Sequence, residues 1–142
     1  MTDPNNLQRF IDAQSPVYDQ VVAELSAGKK TSHWMWFVFP QLDGLGRSGM
    51  AQRTAITSRE QARAYWQHPV LGKRLRECIE LVLAIKGKTV FQILDTPDDL
   101  KFRSCLTLFA AVLLDEPVFS LALDKYFAGG GDAKTIELLR LA

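Results

Sequence analysis

Residues 32–49 read SHWMWFVFPQLDGLGRSG. Trp34, Trp36, Phe37 and Phe39 crowd between positions 34 and 39, with Val38 among them. Aromatic and β-branched residues favour strands, so this run is the one place where a strand is in question. Pro40 ends the run. No second segment shows sustained alternation bounded by hairpin turns, and a strand without a partner makes no sheet. The run therefore reads as part of a helical protein, and the expected fold class is all-α.

Helix punctuation recurs on both sides of the run. Asp3 and Pro4 are suited to open a first helix carrying Leu7, Phe10 and Ile11 on one face. Ser15-Pro16 repeats the signal, Val17, Val21 and Leu25 follow at a spacing of four, and Gly28 stops the helix. Ser58 with Gln61 has capping-box spacing, and His68-Pro69 ends the helix that follows. Leu71, Leu75, Cys78, Ile79 and Val82 form the next stripe. Thr89 caps a short turn from Val90 to Leu94. Thr96-Pro97 starts the most apolar helix, expected to carry Leu100, Leu106, Phe109 and Val112 inward. Pro117 opens another helix, Gly129 to Gly131 make a turn, and Asp132 caps a last helix carrying Ile136 and Leu139. This pattern predicts a compact bundle of about seven to nine helices, several short, in one domain over residues 1–142.

Bulk properties exclude several classes. A chain of 142 residues can bury one core, and 47% hydrophobic with 23% charged residues is not a disordered composition. The 17 basic and 16 acidic residues leave a formal charge of +1, which gives no ground for expecting nucleic acid or an anionic membrane as partner. MTDPNNLQRF lacks the basic and apolar regions of a signal peptide. The most apolar run, Cys105 to Leu114, covers about half a bilayer. A cytoplasmic monomer or homodimer is expected. Cys78 and Cys105 read as buried thiols. With His33 and His68 they show no ligand spacing, so neither a metal nor a cofactor is expected.

Gly44 to Gly49 match G-x-G-x-x-G. A dinucleotide turn also needs a strand before it, a helix after it and an acidic residue about 20 positions on. Pro40 interrupts the strand, and no second strand lies between Gly49 and Ser58. A plain turn is the better reading. Arg47 and Ser48 in such a loop still offer a weaker anion-binding arrangement.

The aromatic block carries the sharper signal. On a helix, Trp34, Phe37 and Val38 share one side while Trp36 and Phe39 point elsewhere. Either both sides are buried, or one aromatic lines a pocket or interface. Trp34 and Trp36 are candidate stacking residues for a planar ligand, and Gln41 is a candidate reader of its edge. His33 is the candidate catalytic acid or base at the rim. Lys101 and Ser104 lie at the amino end of the most apolar helix, where a cation can face a cleft and hold a carboxylate or phosphate. Together these groups suit a small anionic or nucleotide-like ligand beside the His33–Gln41 segment; the alternative is a non-enzymatic protein-interaction or structural module with an aromatic core segment.

Ser32 to Gln41, Gly44-Leu45-Gly46 and Ser48 together resemble the bacterial family catalogued as domain of unknown function 1810. His68-Pro69-Val70-Leu71-Gly72, Arg74-Leu75, Asp99-Leu100-Lys101 and Thr107-Leu108-Phe109 resemble it too. The resemblance runs from Leu7 to the last helix. It implies a compact, mainly helical protein without an assigned activity. Some members carry the label calpastatin, but no protease-inhibitor repeat is present here. The resemblance groups His33, Gln41, Ser48, Lys101 and Ser104 as site candidates. Gln61 and Cys105 depart from it, where a carboxylate and a serine are common.

Overall fold

The computed structural model describes residues 3, 5–45 and 53–141. Among them are nine helices and no strand, and the isolated parallel bridge between Leu42 and Ile56 is the β contact present. The helices are α1 (Gln8–Gln14), α2 (Tyr18–Ser26), α3 (Met35–Val38), α4 (Arg59–Gln67), α5 (Leu71–Ala84), α6 (Val90–Leu94), α7 (Asp98–Val112), α8 (Pro117–Phe127) and α9 (Ala133–Leu141). The ambiguous aromatic run is α3, one short helical turn.

The helix ends follow side-chain chemistry. The Ser58 hydroxyl accepts the Gln61 N–H at 3.0 Å and starts α4. Thr89 and Gln92 form a reciprocal capping box on α6. His68 Nδ1 accepts the N–H groups of Val70 and Leu71, so this histidine caps α5. Asp132 accepts the Thr135 N–H at 2.9 Å at the start of α9. The Asp3 carboxylate accepts from Leu7 and Gln8, so its capping groups reach a helix that begins at Gln8. Pro4, its expected first position, lies outside the described residues.

The core centres on α7. Phe102, Cys105, Leu106, Leu108 and Phe109 are fully buried there, and α4, α6, α8 and α9 pack around them. A helix that is apolar nearly all round belongs in the middle. Aromatic rings link the layers. Phe39 meets Phe102 edge-on at 4.8 Å, Tyr65 meets Phe109 at 5.7 Å, and Phe109 stacks on Phe119 at 5.4 Å. Two residues expected inward are exposed, Leu100 at 54% and Ile136 at 38%. Leu100 precedes the point where α7 enters the core, and Thr135 with Leu139 supplies the buried side of α9.

The turn between α4 and α5 depends on one glycine. A Cβ at Gly72 would lie 1.9 Å from the Trp66 carbonyl oxygen, inside any allowed contact. Only a residue without a side chain lets α5 start against the end of α4. Gly72→Ala is expected to cost about 3 kcal/mol, because backbone must move to relieve the overlap. Chemical denaturation checks this, and an unchanged midpoint would contradict the close approach.

Candidate functional site

The aromatic segment is anchored by a carboxylate one helix away. Glu24, on α2, is buried at 5% exposure. Its Oε1 accepts the Thr31 N–H at 2.6 Å, the Ser32 N–H at 2.9 Å and the Trp34 Nε1–H at 3.1 Å. Gln20 donates to its other oxygen at 2.9 Å. Burial pushes the Glu24 carboxyl upward, but hydrogen bonds from the Ser32 side chain, the Thr31 N–H, the Gln20 amide and the Ser32 N–H prevail. They hold it down at about 2, from an ordinary 4.5. Three donors that a loop would leave to water are thereby tied to one buried charge. The Lys30 N–H adds a bond to the Ile93 carbonyl at 2.8 Å, joining this loop to α6.

So anchored, the loop and α3 face the corner between α6 and α7 across a cleft of about 340 Å³. His33 and Trp36 line one wall, and Asp95, Thr96, Asp98 and Lys101 the other. His33 is exposed at the rim and Trp36 is half-buried. The Lys101 ammonium lies 4.6 Å from the centre of the Trp36 ring, a cation–π distance. It also faces Asp98 at 3.7 Å. Lys30, with a side chain only 8% exposed, meets Asp98 at 2.8 Å and sits 5.1 Å over Trp34. A nearly buried ammonium requires such a partner.

Asp95 ends α6 with φ 61° and ψ 175°, a backbone conformation reserved almost wholly for glycine. Such a residue costs on the order of 1–3 kcal/mol and persists where its surroundings enforce it. Its N–H bonds the Phe91 carbonyl at 2.8 Å, and Lys29 pairs with its carboxylate at 2.9 Å.

The sequence-derived candidates divide. His33, Trp36 and Lys101 share the cleft. Trp34 does not offer a stacking face: it is 1% exposed, packs on Phe39 and spends its N–H on Glu24. Gln41 is not among the cleft residues. It lies past α3, where its carbonyl accepts the Ile56 N–H at 2.8 Å. Ser104 is buried within α7 and donates to the Leu100 carbonyl at 3.1 Å, one turn back. Arg47 and Ser48, with Gly46 and Gly49, lie outside the described residues.

Lys30, Asp95 and Asp98 join the cleft without having been singled out, and so does Glu24 behind it. Glu24 carried a signal, since it stands three residues after Val21 and beside Leu25, on the buried stripe of α2. A carboxylate in that register has to find donors.

Two other places offer less to a ligand. A larger cavity of about 670 Å³ is lined by Arg9, Arg53, Thr57 and Gln61 among others. The Arg9 guanidinium there donates to the carbonyls of Asn5, Asn6, Arg53 and Ala55 and to the Gln61 side chain. It is a staple between chain segments and has its donors committed. Both cysteines are buried. Burial pushes the Cys78 thiol to about 12 and the Cys105 thiol well upward, which keeps both protonated and poor nucleophiles. Among the described residues, no group of three or more His, Cys, Asp or Glu side chains is gathered as a metal set, and no helix is long and apolar enough to cross a membrane.

The model of the family described as protein of unknown function (DUF1810) matches residues 4–139. The chain belongs to this family. Its structure is similar to the crystal structure of the conserved hypothetical protein Rv1873 from Mycobacterium tuberculosis, at 51% identity and a TM-score of 0.97. That likeness covers 99% of this chain and 100% of the other. No curated protein matches the chain.

The Glu24 clamp makes an acid-stability prediction. The folded pKa lies below the unfolded one, so the contribution is complete above about pH 4.5 and is lost as pH falls toward about 2. The full contribution is about 3 kcal/mol. Glu24→Gln is expected to be less stable at neutral pH and to show a shallower acid-dependent decline in that window. Urea unfolding of both proteins across the window measures it, and parallel pH dependences would contradict the clamp.

Proposed function

We propose that the cleft between the 30–36 segment and the α6–α7 corner binds a small ligand with a planar ring and an anionic group. The observation that carries this reading is the convergence of His33, Trp36 and Lys101, from a loop, α3 and α7, on one concavity. Its volume of about 340 Å³ is at the small end for ligand sites, which favours a single ring system over a dinucleotide. In this reading the ring lies against Trp36, and Lys101 with His33 receives the negative group. If the ligand is also a substrate, exposed His33 serves as acid or base, and hydrolysis or group transfer is the reaction class.

The competing reading is a protein-interaction module. It draws its support from exposed Leu114 at 85% and from Phe91, Leu100 and Leu121, each a little over half exposed. The aromatic segment supplies no such face, because Trp34, Phe37 and Phe39 are core.

A thermal-shift screen of nucleosides, nucleotides, sugar phosphates and other ring-bearing anions separates the two. A ligand at about 100 times its Kd stabilises the native state by roughly 2.7 kcal/mol, a readable rise in Tm. The shift is expected to vanish in Lys101→Ala and to shrink in His33→Ala. Hits that keep their full shift in both variants would remove the ligand from this cleft.

A further inference from the structure

The charges around the cleft restrict the ligand further, and this inference rests on the reading of the cleft as a ligand site. Two ammonium groups, Lys30 and Lys101, and two carboxylates, Asp95 and Asp98, line it. Within the lining these charges balance, and Lys29, which pairs with Asp95 from beside it, adds one cation; an excess of one charge is too small for a phosphate chain. Each added negative charge on a ligand would face Asp95 and Asp98 as well as the lysines.

The groups differ in how fully they are engaged. Lys30 and Asp98 form the closest pair at 2.8 Å and are largely withdrawn from solvent. Lys101 reaches Asp98 only at 3.7 Å and otherwise rests on the Trp36 ring. An ammonium has three donors, and this one makes no hydrogen bond among the described residues. Asp95 is similar on the other side. Lys29 takes its Oδ1, and its Oδ2 has no partner among the described residues. The Asp95 backbone is held in its glycine-like conformation by its N–H on the Phe91 carbonyl and its own carbonyl on the Asp99 N–H, which fixes where its carboxylate is presented. One ammonium without a hydrogen bond and one carboxylate oxygen without a partner among the described residues thus belong to residues that line the same cleft as a half-buried indole.

We infer that the ligand is a small zwitterion, a ring-bearing ammonium carboxylate of the aromatic amino-acid type. Its ring takes the Trp36 face from which Lys101 withdraws. Its carboxylate takes Lys101, with His33 at the rim, and its ammonium takes Asp95. Lys101 exchanges a cation–π contact for a charge-assisted hydrogen bond, the stronger of the two.

Titration calorimetry on the full chain tests this with matched probes: L-tryptophan, its amide, its N-acetyl form and adenosine monophosphate. The amide lacks the carboxylate and the N-acetyl form lacks the ammonium. Tryptophan is expected to bind, with each charge-deleted form about tenfold weaker. Asp95→Asn is expected to weaken tryptophan about tenfold and to bring it within about twofold of the N-acetyl form. Lys101→Met does the same relative to the amide. Tighter binding of the N-acetyl form or the monophosphate than of tryptophan would overturn the zwitterion. If that binding still falls in Lys101→Met, the cleft itself stands. Absence of binding by every probe also overturns the zwitterion. Binding that is indifferent to both Lys101→Met and Trp36→Ala overturns the cleft with it.

Discussion

One buried carboxylate oxygen holds the segment on which the rest of the site is built. Glu24 Oε1 collects two backbone N–H groups and the Trp34 indole, each a donor that burial would otherwise strand. Because Trp34 is pinned from behind, its ring packs inward against Phe39, and Phe39 in turn meets Phe102 on the central helix. The same pinning turns Trp36 outward on the opposite side of one short turn. The partition of two neighbouring tryptophans, one core and one cleft, follows from where a single acceptor sits.

The scaffold repeats this device elsewhere. Short helices leave many terminal carbonyls and N–H groups, and long polar side chains from other elements satisfy them. Gln14 is buried and donates to the Phe37 carbonyl at 2.6 Å and the Tyr65 hydroxyl at 2.9 Å, tying α1 to α3 and α4. Lys125 donates to the carbonyls of Leu83 and Ile85 at the end of α5. Arg9 holds the segment before α4 through its carbonyls. Buried side-chain polar atoms among the described residues all have partners. A bundle of short helices stays ordered when such staples accompany the apolar core, since short helices are marginal alone.

The helix boundaries were legible in the sequence because they are written locally. Ser58, Thr89, Pro117 and Asp132 each act within a few residues of where they stand. That Met35–Val38 form a helical turn came with the structure, but that the 34–39 run joins no sheet was also legible, from the missing partner strand. The division between Trp34 and Trp36 was not, because it depends on Glu24, ten residues away in sequence and on another helix. Asp95 and Asp98 stand at helix ends, where acids are common, and their meeting with Lys29, Lys30 and Lys101 is a tertiary event. Lys101 was readable as a cation at the mouth of an apolar helix, whereas Ser104 spends its hydroxyl within its own helix and Gln41 lies outside the cleft. Leu100 shows the limit of periodicity, which marks a face but not the residue at which a helix enters the core.

Residue-resolved hydrogen exchange on the Thr31 and Ser32 amides and the Trp34 indole reports on the Glu24 clamp itself. If Glu24 organises the segment, these three protons exchange as slowly as amides in the middle of α7, although two of them belong to a loop. Glu24→Ala then releases all three while the α7 amides retain protection over the less stable chain. Exchange in the unaltered protein as fast as at exposed Lys86 to Lys88 would contradict the clamp, and with it the origin of the cleft.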